Sequence, residues 1–202
     1  MKRVLTLIDE ANIAASARAS GLERVDWPGL AAFLVARRPD REPLETVVYV
    51  GLPPAMEEFR DARLGRERFI IDLRLSGFLV VPTEGSPTEP GHYDANVDVQ
   101  MALDAMDLAQ TAYPDVVVLA TGDADFACLA LTLRRRGIRV EVAAPERVLG
   151  RHLREAASEV VDLEPLFRGL ASGGPRETRV KAGFHTGDGR VTQEPAPQRQ
   201  GG

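Results

Sequence analysis

Cysteine, histidine and lysine are nearly missing from this chain. Cys128 is the one cysteine among 202 residues, so no intrachain disulfide can form. Three scattered histidines and that cysteine cannot assemble an ordinary zinc site, which draws on nitrogen and sulfur ligands. Lys2 and Lys181 are the only lysines, and arginine supplies the rest of the basic residues. That preference reads as the coding bias of a GC-rich genome and carries no function. No apolar run reaches the ~18 residues that a membrane span needs. The first residues, MKRVLTLIDE, run straight into an acid without a small-residue cleavage site, so they read as a β-strand and not as a signal peptide. A cytoplasmic setting fits. Neither a phosphate-binding GxxxxGKS/T loop nor GxGxxG occurs, and no GxSxG elbow is present, which leaves nucleotide-cofactor and serine-esterase chemistry without support.

Apolar residues make up 44% of the chain, enough for a globular body. The net charge is −5. Residues 171–202 hold five basic and three acidic residues, which leaves 20 basic against 27 acidic in the body. Such a body is no generic phosphate clamp, because non-specific nucleic-acid affinity comes mainly from basic charge. It remains compatible with an enzyme whose acids are neutralised by a metal ion.

Short apolar runs alternate with amphipathic stretches. The runs are Val4–Ile8, Thr46–Val50, Phe78–Val81, Val116–Ala120, Ile138–Ala143 and a weaker Val160–Leu163. Near-continuous apolar strands of this length point to a parallel sheet covered on both faces. Helices are expected over Trp27–Arg37, Ala55–Leu75, Asp98–Gln110 and Asp125–Arg136. The third should bury Val99, Ala102, Leu103 and Met106, and the fourth Phe126, Leu129, Ala130 and Leu133. Arg134–Arg136 complement the end of that last helix, and Gly137 suits its left-handed stop. The alternation predicts a Rossmann-like, three-layer α/β domain with a mostly parallel central sheet. That domain is expected over residues 1–168, followed by a disordered tail over 169–202; from Ala171 onward ten of 32 residues are Gly or Pro. A long polar loop, Thr83–Asn96, leads into the Asp98 helix.

Acids fall where strands end. Asp9 closes the first strand in LIDEANI, with Asn12 three residues on. In an open parallel sheet, ligands bind beyond the carboxyl ends of the strands near the switch in strand order. Asp123 and Asp125 follow the Val116–Ala120 strand in ATGDADF, and the usual strand order brings that strand beside the first. Asp98 opens the helix after the long loop, at the margin of its apolar face. Either strand-end acid, taken alone, is equally well explained as a helix cap. Asp104 lies six residues beyond Asp98, ~9 Å along a helix axis, and reads as a structural or solvated acid. Asp94 and His92 are weaker loop candidates. Carboxylates converging at ~4 Å repel unless a counter-charge joins them, and an all-oxygen ligand set favours Mg²⁺ or Mn²⁺. The chemistry that follows is phosphodiester hydrolysis. Arg147, Arg151 and Arg154 share an expected helical face and are a candidate RNA path. Cys128 is expected to be buried or half-buried.

The stretches LIDEANI, NVDVQMALDA and ATGDADFACLALTLRRRGIRVEV resemble the NYN domain family, LabA-like branch, within the PIN-like nuclease superfamily. The resemblance covers roughly residues 3–165. It implies a metal-dependent ribonuclease with Asp9, Asp98, Asp123 and Asp125 as metal-binding and catalytic acids, Asn12 in support, Mg²⁺ or Mn²⁺ as cofactor and RNA as partner; whether the chain is a homo-oligomer stays open. Two positions depart from the family pattern. Glu10 stands where glycine usually follows the first acid. Ala95-Asn96 stand where a lysine commonly precedes the Val-Asp pair, which removes one expected phosphate contact. Two other readings compete: a non-catalytic RNA- or protein-binding regulatory module on the same fold, and a phosphatase or phosphoacceptor of similar topology. The latter would need a lysine after the fifth strand, where Ala143-Ala144-Pro145 stands.

Overall fold

The computed structural model describes residues 1–172; the remainder of the expected tail lies outside the described residues. The first three strands are β1 (Lys2–Asp9), β2 (Arg41–Leu52) and β3 (Leu79–Glu84). A hairpin of two-residue strands, β4 (Ser86–Pro87) and β5 (Tyr93–Asp94), structures the long polar loop. Then come β6 (Val116–Ala120), β7 (Arg139–Ala144) and β8 (Glu159–Asp162). The six longer strands form one parallel sheet in the order β3-β2-β1-β6-β7-β8. The chain reverses its direction of travel across the sheet between β1 and β6, so the crevice that such a reversal opens lies at their carboxyl ends.

The helices are α1 (Glu10–Ala19), α2 (Trp27–Ala36), α3 (Arg60–Leu75), α4 (Val97–Thr111), α5 (Ala127–Arg135), α6 (Arg151–Ala156) and α7 (Glu164–Ala171). Alternation along each strand divides the interior into two cores. Val4 and Ile8 of β1, Val48 of β2 and Val118 of β6 face α1, α2, α3 and α7. Leu5 and Leu7, Tyr49 and Leu119 face α4, α5 and α6. Each fully buried Val, Leu or Ile is worth about 1.5–3 kcal/mol. The parity that sends Leu5 and Leu7 to the α4 side also sends Asp9 there.

Several expectations need correction. The helix foreseen from Ala55 begins at Arg60: Pro53 and Pro54 favour extended backbone, and a 3₁₀ turn at Glu57–Phe59 buries Phe59 before the α-helix starts. A 3₁₀ turn at Ala124–Phe126 likewise precedes α5. Residues 169–171, assigned to the tail, form the last turn of α7, whose Phe167 is buried. The largest correction concerns α4. It buries Val97, Met101, Ala105 and Ala109, while Val99 and Leu103 are 57% and 61% exposed. Two alanines in the buried stripe let the helix lie close to the sheet. The larger apolar side chains are left on its flank toward α5.

Candidate metal centre at the carboxyl edge of the sheet

Asp9 is the last residue of β1 and the N-cap of α1. Its Oδ1 accepts a hydrogen bond from the Asn12 amide at 3.1 Å, and its Oδ2 accepts from the Thr121 hydroxyl at 3.3 Å. The sequence reading left helix capping and a ligand role open at this residue; the side chain does cap α1, and its position beside β6 leaves the second role available. Asp9 is only 5% exposed. Burial pushes its carboxyl up to about 6; the Asn12 amide opposes the shift, and the charge of Asp98 adds to it.

β6 ends one residue short of Thr121, which is fully buried and joins the two strand ends. Its hydroxyl donates to Asp9 and accepts from the Asp123 amide at 3.3 Å. Gly122 is held from both sides. Its amide donates to Asn12 Oδ1 at 2.9 Å, and its carbonyl accepts from the Gly150 amide at 2.8 Å. A Cβ on Gly122 would meet the Val148 carbonyl oxygen at 2.9 Å, so close backbone approach demands the glycine here. Asn12 therefore acts through its side chain on the turn after β6, and through its amide on Asp9. Asp123 caps the following 3₁₀ turn, accepting from the Asp125 amide at 2.9 Å.

Asp98 lies in the first turn of α4, capped by Asn96, and is half-buried. Burial raises its carboxyl, and the charges of Asp123, Asp125 and Asp94 raise it further. The fold thus brings Asp9, Asp98, Asp123 and Asp125 into one electrostatic neighbourhood from three chain segments, with Asp94 added from the β5 end of the loop. No ion pair to any of these acids occurs among the described residues. The donor set is all carboxylate, in keeping with a hard divalent cation, and a buried, uncompensated Asp9 suits such an ion. Their side chains do not close on a single point: among the described residues, no three acids, histidines or cysteines are grouped tightly enough to hold one ion together.

Residues 3–164 match the NYN domain. The chain belongs to the NYN domain family. Nothing among the curated proteins matches it. Among solved structures, it is similar to VPA0982 of Vibrio parahaemolyticus, a protein of unknown function, at 23% identity and a TM-score of 0.62, over 80% of this chain and 93% of that one. The NYN domain is PIN-like, and the likeness to the solved structure bears on the fold alone.

Other residues of the NYN domain stand differently from expectation. Arg147, Arg151 and Arg154 do not share one helix: Arg147 belongs to a 3₁₀ turn ahead of α6. Each is engaged in an ion pair, with Glu164, Glu155 and Glu146 respectively. Gly150, at the N-cap of α6 and packed against Ala124, interrupts the helix that would have aligned them. Cys128 is exposed, not buried. It borders a groove of about 610 Å³ between α4 and α5, lined also by Asp98, Asp125, Val99, Leu103 and Met106. Asp104 accepts from Gln100 Nε2 at 2.7 Å and lies beside the buried Tyr49. His92 is exposed, and its ring contacts the Pro90 carbonyl within its own loop. Sequence reasoning gave no role to Thr121 or to the pairing of Glu10 with Arg66. The hydroxyl before Gly-Asp was the available signal for the first; the second had only Glu10 itself.

Proposed function

We propose that this NYN domain is a metal-dependent ribonuclease that hydrolyses RNA phosphodiester bonds. Asp9, Asp98, Asp123 and Asp125 would hold Mg²⁺ or Mn²⁺, and Asn12 would support them. One observation carries this reading. A buried carboxylate at the switch point, Asp9, feels the charge of Asp98, which in turn feels those of Asp123 and Asp125, and no arginine or lysine is paired to any of the four among the described residues. Gathering uncompensated like charges costs stability, and a cation-binding role explains why they are retained. A bound divalent ion supplies the counter-charge for a phosphodiester and acidifies water for attack. The chain's own residues prepare the place. Thr121 and the Asn12 amide orient Asp9, and the Asn12 side chain and Gly150 hold the turn that presents Asp123 and Asp125. Asn96 caps the helix that carries Asp98.

The variant Asp123→Asn is expected to fold normally and to lose Mn²⁺-dependent RNA cleavage by more than about 100-fold, since even residues behind a metal's direct ligands cost 10- to 100-fold. Wild-type cleavage rates from that variant would reject the mechanism. The rival reading, a non-catalytic binding module, draws on one observation: the acids do not close on one point. Calorimetric titration with Mg²⁺ and Mn²⁺ decides between them, because a binding-only module takes up neither ion.

A further inference from the structure

Glu10 follows Asp9 directly, and its side chain is only 7% exposed. Such a buried acid needs a partner, and Arg66 of α3 supplies it: Nη2 donates to Glu10 Oε2, while Nε donates to the Gly51 carbonyl at 3.1 Å. The guanidinium carbon sits 5.2 Å from the centre of the Phe69 ring, which supports the flat group from one side. Three anchors therefore fix a side chain that is normally mobile. Two of them lie at the carboxyl edge of the sheet. Glu10 adjoins Asp9, and Gly51 is at the end of β2. A Cβ on Gly51 would stand 3.0 Å from Ala95, in the chain that leads to Asn96 and Asp98. Arg66 thus flanks the acid cluster on the α3 side. Its side chain is 27% exposed, and its Nη1 makes no hydrogen bond among the described residues.

Neighbouring Arg63 is different. Its acids, Glu67 and Glu84, are 44% and 57% exposed, so those pairs are ordinary surface contacts. Arg66 is the cation that a buried acid holds beside the candidate metal centre, with one arm of its fork still open. A guanidinium offers five N–H donors in a rigid plane, and phosphate is a well-matched acceptor.

We propose that Arg66 contacts a backbone phosphate of RNA entering the acid cluster, and that Glu10 both aims its guanidinium and offsets its charge. This rests on the ribonuclease reading above. It makes the Glu10–Arg66 pair a device that sets RNA affinity, where a purely structural pair would only lock α1 to α3.

The test uses the full chain and a fluorescent single-stranded RNA oligonucleotide in Ca²⁺, with the RNA verified intact on a gel, and it titrates binding over a range of salt. Arg66→Gln is expected to weaken binding about tenfold, the scale of one charge-assisted contact. It should also lower the slope of log affinity against log salt by about 0.7, the value for one phosphate on a single strand. Glu10→Gln keeps the hydrogen-bond acceptor but removes the charge, and is expected to tighten binding several-fold. In the double variant the gain should vanish, because it acts through Arg66. Thermal melting shows that each variant is folded, and the neutral double variant guards against loss of fold in either single one. Should both single variants weaken binding alike, or leave it and its salt slope unchanged, the pair is structural and the proposal fails. Absence of RNA binding by the wild-type chain would overturn the RNA reading itself, and this inference with it.

Discussion

At the amino ends of β2, β7 and β8, buried acids meet arginines; at the carboxyl ends of β1 and β6, Glu10 meets Arg66, but Asp9 and the acids that follow β6 meet none. Glu141 is fully buried, yet Arg41 grips both its oxygens at 2.6 and 3.0 Å and Arg139 adds a third hydrogen bond at 2.8 Å. Burial pushes its carboxyl up, but the two arginines outweigh that and hold it below the usual range. Glu159 is bound by Arg37, Arg38 and Arg139, whose hydrogen bonds overcome desolvation and bring it down to about 2. Asp9 is nearly as buried as Glu141, but it has two neutral donors and like-charged neighbours, and its carboxyl rises to about 6. The same sheet therefore contains one group of acids that folding satisfies and another that it leaves unsatisfied. The first is architecture. The second makes sense as a place prepared for a cation.

The strongest test of this contrast removes one acid from the satisfied end. Glu141→Gln leaves Arg41 buried without its full counter-charge, and should destabilise the protein by about 3–5 kcal/mol in denaturant titration. A neutral outcome would mean that the two ends do not differ as described. Asp9→Asn should do the reverse. Asparagine still caps α1 and relieves a carboxylate whose shift, from 3.8 to about 6, corresponds to about 3 kcal/mol at neutral pH. Without divalent ions, Asp9→Asn is expected to be more stable than wild type by about 2–3 kcal/mol at pH 7, while losing metal-dependent cleavage.

The sign of the pH dependence sharpens the comparison. A carboxyl raised on folding binds its proton more tightly in the folded state, so the Asp9 contribution is favourable at low pH. It is lost as pH rises from about 4 through about 6. Mn²⁺ must displace that proton, and its affinity should climb about tenfold between pH 5 and pH 7, as calorimetry would read. Glu159 contributes in the opposite sense: its stabilisation is present above its ordinary range and disappears as pH falls toward about 2. The smallest effect belongs to Thr121→Val. It removes a hydrogen bond that favours the ionised Asp9, costs about 1 kcal/mol, and shifts the onset of Mn²⁺ binding to higher pH.

Much of this was legible from residue order. Val4–Ile8 and Val116–Ala120 read as buried parallel strands because both faces of such a sheet are covered and their composition shows it. The acids at the ends of those strands read as a shared site because topology brings strand ends together. The α4 helix was misread. Val99 and Leu103 are larger than Ala105 and Ala109, and periodicity gives weight to size, whereas close packing against the sheet selects the small side chains. The arginines were indistinguishable as a set; nothing in residue order separates Arg41, locked on a buried glutamate, from Arg151 on the surface.

The sequence by itself determined the α/β alternation and the strand-end placement of Asp9, Asp123 and Asp125, because these depend on local backbone preference and on the period of the apolar pattern. Only the tertiary structure decided which acids are neutralised. Ion pairing depends on which side chains from distant segments share a buried volume, and desolvation makes that choice matter: it set Glu141 against Arg41 across 100 residues of chain, brought Arg66 to Glu10, and left Asp9 beside Asp98 with no cation among the described residues.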